Sequence, residues 1–145
     1  MNRFSSLCLS LLFAAPIAAA DTAPAIKRLT MEELETSVFS EGTEQLEEES
    51  ETGTTPALDR LWHKSPDGCM QTGVYETGRN RYTITEPYPY DELMIFISGG
   101  VTLTASSGDV TDVKPGDVIM MPQGWKGIWD SEGYRKIYVI YDCED

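Results

Sequence analysis

Residues 91–124, DELMIFISGGVTLTASSGDVTDVKPGDVIMMPQG, decide the fold. Runs rich in β-branched and apolar residues, Leu93 to Ile97, Val101 to Ala105, Val110 to Val113 and Val118 to Met121, are separated by turn residues. Gly99 with Gly100, Ser107 to Asp109, Lys114 to Asp117 and Pro122 to Gly124 each carry the Gly, Pro, Asp or Ser that a chain reversal uses. Strands recurring at intervals of about eight to twelve residues, with no helical periodicity, predict a sandwich or small barrel. The same pattern continues outward, through Met70 to Tyr75 and Arg81 to Thr85 before the stretch and Gly127 to Trp129 and Arg135 to Tyr141 after it, with Ser131 to Gly133 read as a turn. Leu93 to Ile97 and Val118 to Met121 are apolar on both faces, which predicts interior strands. Val101 to Ala105 alternates with Thr102 and Thr104, which predicts one wet face.

Working back toward the N-terminus, the folded domain is expected to start near Leu58 and to occupy residues 58–145. Residues 40–56 are Glu, Gly, Ser and Thr with almost nothing apolar, and read as a mobile linker within an acidic arm of residues 21–57. Inside that arm Thr30 and Glu33 match a capping box, flanked by Leu29 and Leu34 at staple spacing, so a short helix from Met31 to Phe39 is expected. Residues 1–20 read as a cleavable signal peptide: Arg3, an apolar run from Leu7 to Ala15, the helix stop Pro16, then Ala18 and Ala20 before Asp21. The expected location is therefore periplasmic or secreted, with no stable membrane insertion, since no later stretch is apolar enough to span a bilayer.

The chain of 145 residues has a formal net charge of −13, with 24 acids against 11 Lys and Arg. Ten of those acids fall between Leu29 and Asp59, where there is no Lys or Arg, so the charge belongs to one segment. A phosphate backbone needs clustered cations, and nucleic acid is excluded as a partner.

Asp91, Glu92 and Leu93 through Gly99, then Lys114 to Asp117, then Pro122 to Gly124, resemble the two motifs of the cupin superfamily. The pattern of Glu, six residues, Gly is met by Glu92 and Gly99. That of Gly, five residues, Pro, any residue, Gly is met by Gly116, Pro122 and Gly124. Gly73 to Glu76, Gly124 to Trp129 and Arg135 to Ile140 are similar to the cupin subfamily related to ureidoglycine aminohydrolases. The resemblance implies an all-β fold, a double-stranded β-helix of jelly-roll type, and commonly a homodimer paired through sheet edges. It also implies a metal site of three His and one Glu, converging because alternate strand residues face one way. Here the first His pair falls on Glu86 and Tyr88, or on Thr85 and Pro87, and the last His is replaced by Gly127, so that Glu92 alone remains. The sole histidine, His63, precedes both motifs. No cofactor and no tightly held metal are expected. Glu86 with Glu92 offers oxygens alone, enough for a weakly bound divalent cation.

In place of a metal, aromatic and polar groups gather around the motifs: Tyr88, Tyr90, Trp125 and Trp129, with Arg79, Arg81, Glu92 and Gln123 as polar candidates for binding a small molecule. Trp129 reads equally as core and as ligand wall. Trp125, next to a Gly in a turn, reads as an exposed contact. A Ser or Cys triad would need His63 as its base and has no nucleophile signature at Ser65 or elsewhere, which leaves Glu92 as the best catalytic candidate, against the plainer role of a buried structural Glu. Cys69 and Cys143 form an even pair for an intramolecular disulfide, the alternatives being free buried thiols or a bridge between subunits. Three functions follow: an exported domain binding a small polar molecule, a ureidoglycine aminohydrolase-like enzyme with a weak or non-standard metal site, or a module that docks another protein through its acidic arm or barrel edge.

Overall fold

The computed structural model describes residues 24–143, so the expected leader lies outside the described residues. Among the described residues a single helix, α1 (Met31–Thr36), precedes eight strands: β1 (Glu44–Ser50), β2 (Gly53–Lys64), β3 (Met70–Thr77), β4 (Asn80–Ile84), β5 (Asp91–Ala105), β6 (Val110–Val113), β7 (Val118–Met121) and β8 (Gly127–Tyr141). All pairings are antiparallel. This is the all-β jelly-roll expected from the sequence.

β5 and β8 form its spine. They pair from Asp91 with Tyr141 to Ala105 with Gly127, and register shifts between Phe96 and Ser98 and between Gly100 and Thr102 bend the pair midway. One half carries β3, β2 and β1 beyond β8 and β7 beyond β5, while the other carries β4 on β8 and β6 on β5. Gly99 and Gly100, expected to reverse the chain, instead lie inside β5. A Cβ on Gly99 would stand 1.9 Å from the Gly133 carbonyl oxygen, and one on Gly100 would stand 2.3 Å from that of Val113. These glycines serve the close approach of backbones at the bend. Ser131 to Gly133, also expected as a turn, likewise lies within β8.

The bend folds the inward faces of both halves around one core of Met94, Phe96, Val101, Leu103, Val113, Met121, Trp129 and Tyr134. β7 is not the interior strand expected of it: it pairs with β5 alone, and Val118 and Met120 are 60% and 59% exposed. Apolar residues on both faces of a four-residue strand do not establish two covered faces.

The expected linker is also corrected. Glu44 to Ser50 pairs with Gly53 to Asp59 in a tight hairpin, so the sheet begins well before Leu58. Half-buried Leu46, Glu48 and Ser50 alternate with exposed Glu47 and Glu49. The two-residue period is present, but acidic side chains disguise it.

The capping box forms as expected, with the Thr30 backbone N–H donating to Glu33 Oε2 at 2.7 Å and the Glu33 N–H to Thr30 Oγ1 at 3.1 Å. α1 stops at Thr36, short of Phe39. Leu34 and Val38 then pack on Val74, with Ile97 and Ile137 alongside. Arg135 Nη1 donates to the carbonyls of Leu34 and Glu35 at 2.6 and 2.9 Å, and Arg60 Nη1 to that of Val38 at 2.5 Å, so this part of the arm is seated on the sheet. At the far end Cys69 and Cys143 form the intramolecular disulfide, their Cα atoms 4.7 Å apart across 74 residues of sequence.

Candidate functional site

A cavity of about 680 Å³ opens between the bent spine and the segments that cover it. Its floor comes from the inward face of β8, where the two-residue period puts Tyr134, Lys136, Tyr138 and Ile140 on the lining, and Trp129 joins them from beyond the register shift opposite Gly100 and Thr102. β1 and β2 add Leu46, Glu48 and Asp59, and the chain from Tyr82 to Tyr90 closes another side.

In the floor Lys136 and Glu92 are only 8% and 2% exposed, and Lys136 Nζ donates to Glu92 Oε1 at 2.7 Å. The ammonium also meets Met94 Sδ at 3.2 Å and lies 5.4 Å from the Trp129 ring centroid and 5.8 Å from those of Tyr75 and Tyr134. Aromatic faces stabilise a desolvated cation. Tyr88 OH donates to Glu92 Oε2 at 2.5 Å, so both carboxylate oxygens are occupied. Burial, reinforced by the Glu92 charge, holds the Tyr88 hydroxyl far above its ordinary pKa, and it remains a proton donor. The result is a paired and hydrogen-bonded buried charge, the condition under which one is tolerated.

The side wall is different in kind. Asp59 accepts from Tyr138 OH at 3.0 Å, and Glu48 only a long contact from Tyr82 OH at 3.5 Å. Burial is the main influence raising the Asp59 pKa; Tyr138 and Lys136 oppose it, while the charges of Glu44 and Glu48 add to it. Burial likewise raises Tyr75, Tyr82 and Tyr138, leaving neutral hydroxyls among the carboxylates. Trp129, 5% exposed, has an Nε1–H with no hydrogen-bond partner among the described residues.

Of the residues read from sequence, Glu86, Tyr88, Tyr90, Glu92 and Trp129 line this cavity. Trp129 belongs to the core cluster and also lines the cavity. Tyr88 and Tyr90 meet edge to face at 5.1 Å. Arg79 and Arg81 do not belong to it: the register of β4 on β8 sets them beside Asp130, which both bind, with further partners in Glu132 for Arg79 and Glu51 for Arg81. Gln123 braces the rim from outside, its Nε2 donating to the Pro89 carbonyl at 2.9 Å and its backbone N–H to Asp91 Oδ1 at 2.7 Å. Trp125, expected as an exposed contact, packs against the core near Leu103, Ile119 and Met121, and its ring lies so close to Gly127 that a Cβ there would stand 2.8 Å away. His63 is not part of the lining.

Sequence reasoning passed over Lys136, Asp59, Glu48, Tyr75 and Tyr138. For Lys136 a signal was present: Tyr134, Lys136, Tyr138 and Ile140 share one face of a strand whose other face carries Arg135, Ile137 and Val139. A lysine on the apolar face of a central strand is buried, and a buried lysine needs a partner.

The metal that the cupin resemblance implies does not fit these residues. Glu92, the one ligand position retained, already binds the Lys136 ammonium and the Tyr88 hydroxyl. No group of three His, Cys, Asp or Glu side chains among the described residues is placed to hold an ion.

A jelly-roll whose cavity is lined by Glu92 of the first cupin motif has the form of a cupin domain. The chain belongs to the EutQ-like cupin family, whose model matches residues 64–138. Among solved structures it is similar to a protein of unknown function of the DUF861 family from Pseudomonas syringae pv. tomato, at 21% identity and a TM-score of 0.60, over 67% of this chain and 44% of that one. A cupin-2 domain protein from Rhodospirillum rubrum aligns at 13% identity and a TM-score of 0.54, over 72% of this chain and 73% of that one. A putative ethanolamine utilization protein Q from Salmonella typhimurium aligns at 19% identity and 0.50, over 66% and 76%. Identities this low speak to the fold alone. No curated protein matches the chain significantly.

Proposed function

We propose that this protein is an exported cupin domain that binds a small polar molecule in its barrel without a tightly held metal. The observation that carries the reading is the Lys136–Glu92 pair at 2.7 Å beneath a cavity of about 680 Å³. The cavity suits a ligand of modest size, with aromatic walls and few oriented polar groups. The carboxylate that a metal would need holds a side-chain cation instead. Export is supported by the Cys69–Cys143 disulfide, since such bonds persist in oxidising compartments. A ureidoglycine aminohydrolase-like activity through Glu92 has less support, because both oxygens of Glu92 are engaged.

Two measurements on the purified protein test the proposal. Elemental analysis should find well under one equivalent of Mn, Fe, Ni, Cu or Zn, and a thermal-shift screen of small polar compounds should find ligands, because binding to the native state raises its stability by mass action. A stoichiometric metal lost on Glu92→Ala would overturn it.

A further inference from the structure

A buried hydroxyl narrows the class of molecule the cavity takes, an inference that rests on the binding role proposed above. Tyr134 is only 8% exposed, its ring centroid 5.4 Å from those of Phe96 and Trp129. Its hydroxyl makes no hydrogen bond to a described residue, yet it is not sealed inside the core. Burial first, then Tyr75, Glu92, Tyr82 and Glu48, hold its pKa well above the ordinary value, and all four of those groups line the cavity. A neutral phenol therefore faces the space with its proton free to donate, where most buried polar groups are paired. An acceptor stands across from it. Asp59 takes the Tyr138 hydroxyl on Oδ1 at 3.0 Å, which leaves Oδ2 without a partner among the described residues. Asp59 pairs with Tyr75 and Tyr75 with Lys136, the inward residue next to Tyr134 on β8, so two strand spacings, about 10 Å, separate the donor's strand from the acceptor's.

Charged ligands fit this lining poorly. The Lys136 ammonium already lies within 5.8 Å of the Tyr75, Trp129 and Tyr134 ring centroids, so a second cation drawn to those rings meets the first. Nor do the wall carboxylates close on a cation together, since Glu48 stands opposite Thr55 and Asp59 opposite Glu44 in the β1–β2 register. An anion meets the charges of Glu48 and Asp59, and the one ammonium of the lining is engaged by Glu92. A hydroxyl group both donates and accepts, which suits a donor on one side and an acceptor on the other. We propose that the cavity binds a neutral polyhydroxylated ring of monosaccharide size, one hydroxyl accepting from Tyr134 and another donating to Asp59, with its carbon face against the tyrosine rings.

Ligand-observed NMR titration of the full chain separates these cases with compounds of one size. Glucose, galactose, mannose and myo-inositol are neutral, glucosamine is a cation and glucuronate an anion. The expected result is saturable binding of at least one neutral compound, tighter than that of either charged one. Tyr134→Phe should weaken it about three- to tenfold, the worth of one neutral hydrogen bond, and Asp59→Asn about tenfold, a bond to a charged group being the stronger. Because the Tyr134 hydroxyl has no partner in the protein, Tyr134→Phe should also keep the parent's urea midpoint, so its lost affinity is not lost folding. Preference for glucosamine or glucuronate overturns the inference and leaves the binding role standing. Neutral binding that neither variant weakens overturns it by placing the ring elsewhere. If none of the neutral compounds binds while the broad screen finds other ligands, this inference alone fails; if the broad screen is also empty, both readings fail.

Discussion

Lys136→Met tests the pair at the heart of the barrel. The substitution removes the ammonium, keeps the volume of the side chain roughly intact, and leaves the Glu92 carboxylate 2% exposed with Tyr88 as its one remaining partner. Breaking a buried pair from one side costs about 3 to 5 kcal/mol, because an uncompensated charge is left behind. Glu92→Gln is expected to cost less, about 1.5 to 3 kcal/mol. There the ammonium keeps Met94 Sδ at 3.2 Å and three aromatic faces within 5.8 Å, and glutamine still accepts from Tyr88. The double variant removes both charges and should recover to within about 2 kcal/mol of the parent, as replaced ion pairs commonly do, giving a coupling energy of about 2 kcal/mol or more. Urea unfolding followed by tryptophan fluorescence reads this directly. With an m-value of about 1.5 kcal/mol/M, the Lys136→Met midpoint should fall by about 2 M or more while the slope holds. If Lys136→Met costs less than about 1 kcal/mol and the two single effects add within about 0.5 kcal/mol, the residues are not the coupled buried pair described above.

Phe96, 1% exposed in the centre of the core, should lose about 3 to 5 kcal/mol on truncation to alanine, measured by the same unfolding assay. Opening the disulfide with Cys69→Ala should cost about 4 kcal/mol by the chain-entropy model for a closure across 74 residues, and the oxidised parent should show no titratable thiol from Cys69 or Cys143 after denaturation. The raised pKa of Asp59 carries a definite sign. As pH rises through the ordinary aspartate range the unfolded chain gives up this proton before the native protein does, so stability falls until the native carboxyl has also ionised. Asp59→Asn cannot ionise and should therefore melt above the parent at pH 7, by a margin that shrinks toward pH 3; a lower melting temperature at pH 7 would contradict the assigned direction.

The barrel was legible in the sequence because its strands announce themselves by alternation and its turns by residue type. The limits of β3, β4, β6 and β7 followed closely, Val110 to Val113 among them, whereas β5 and β8 were each read as two runs with a turn between. Gly99, Gly100 and Gly133 misled because glycine serves two purposes, reversal of a chain and close approach of two, and only pairing tells them apart. The β1–β2 hairpin was hidden by composition: Glu48 faces the cavity with Leu46, and a carboxylate on an inward position looks from sequence like solvent-facing charge. Glu92, Tyr88, Tyr90 and Trp129 were found because they sit on or beside motifs. Asp59 and Lys136 come from strands distant in the chain, and their convergence depends on the register of β3 with β2 and β8.

An ammonium carried on a lysine side chain cannot be diluted away, chelated or exchanged for a competing ion. A cupin that keeps its cation in this form is loaded as soon as it folds. While Lys136 holds the Glu92 carboxylate, a metal ion reaching the barrel would have to displace that ammonium before it could bind there.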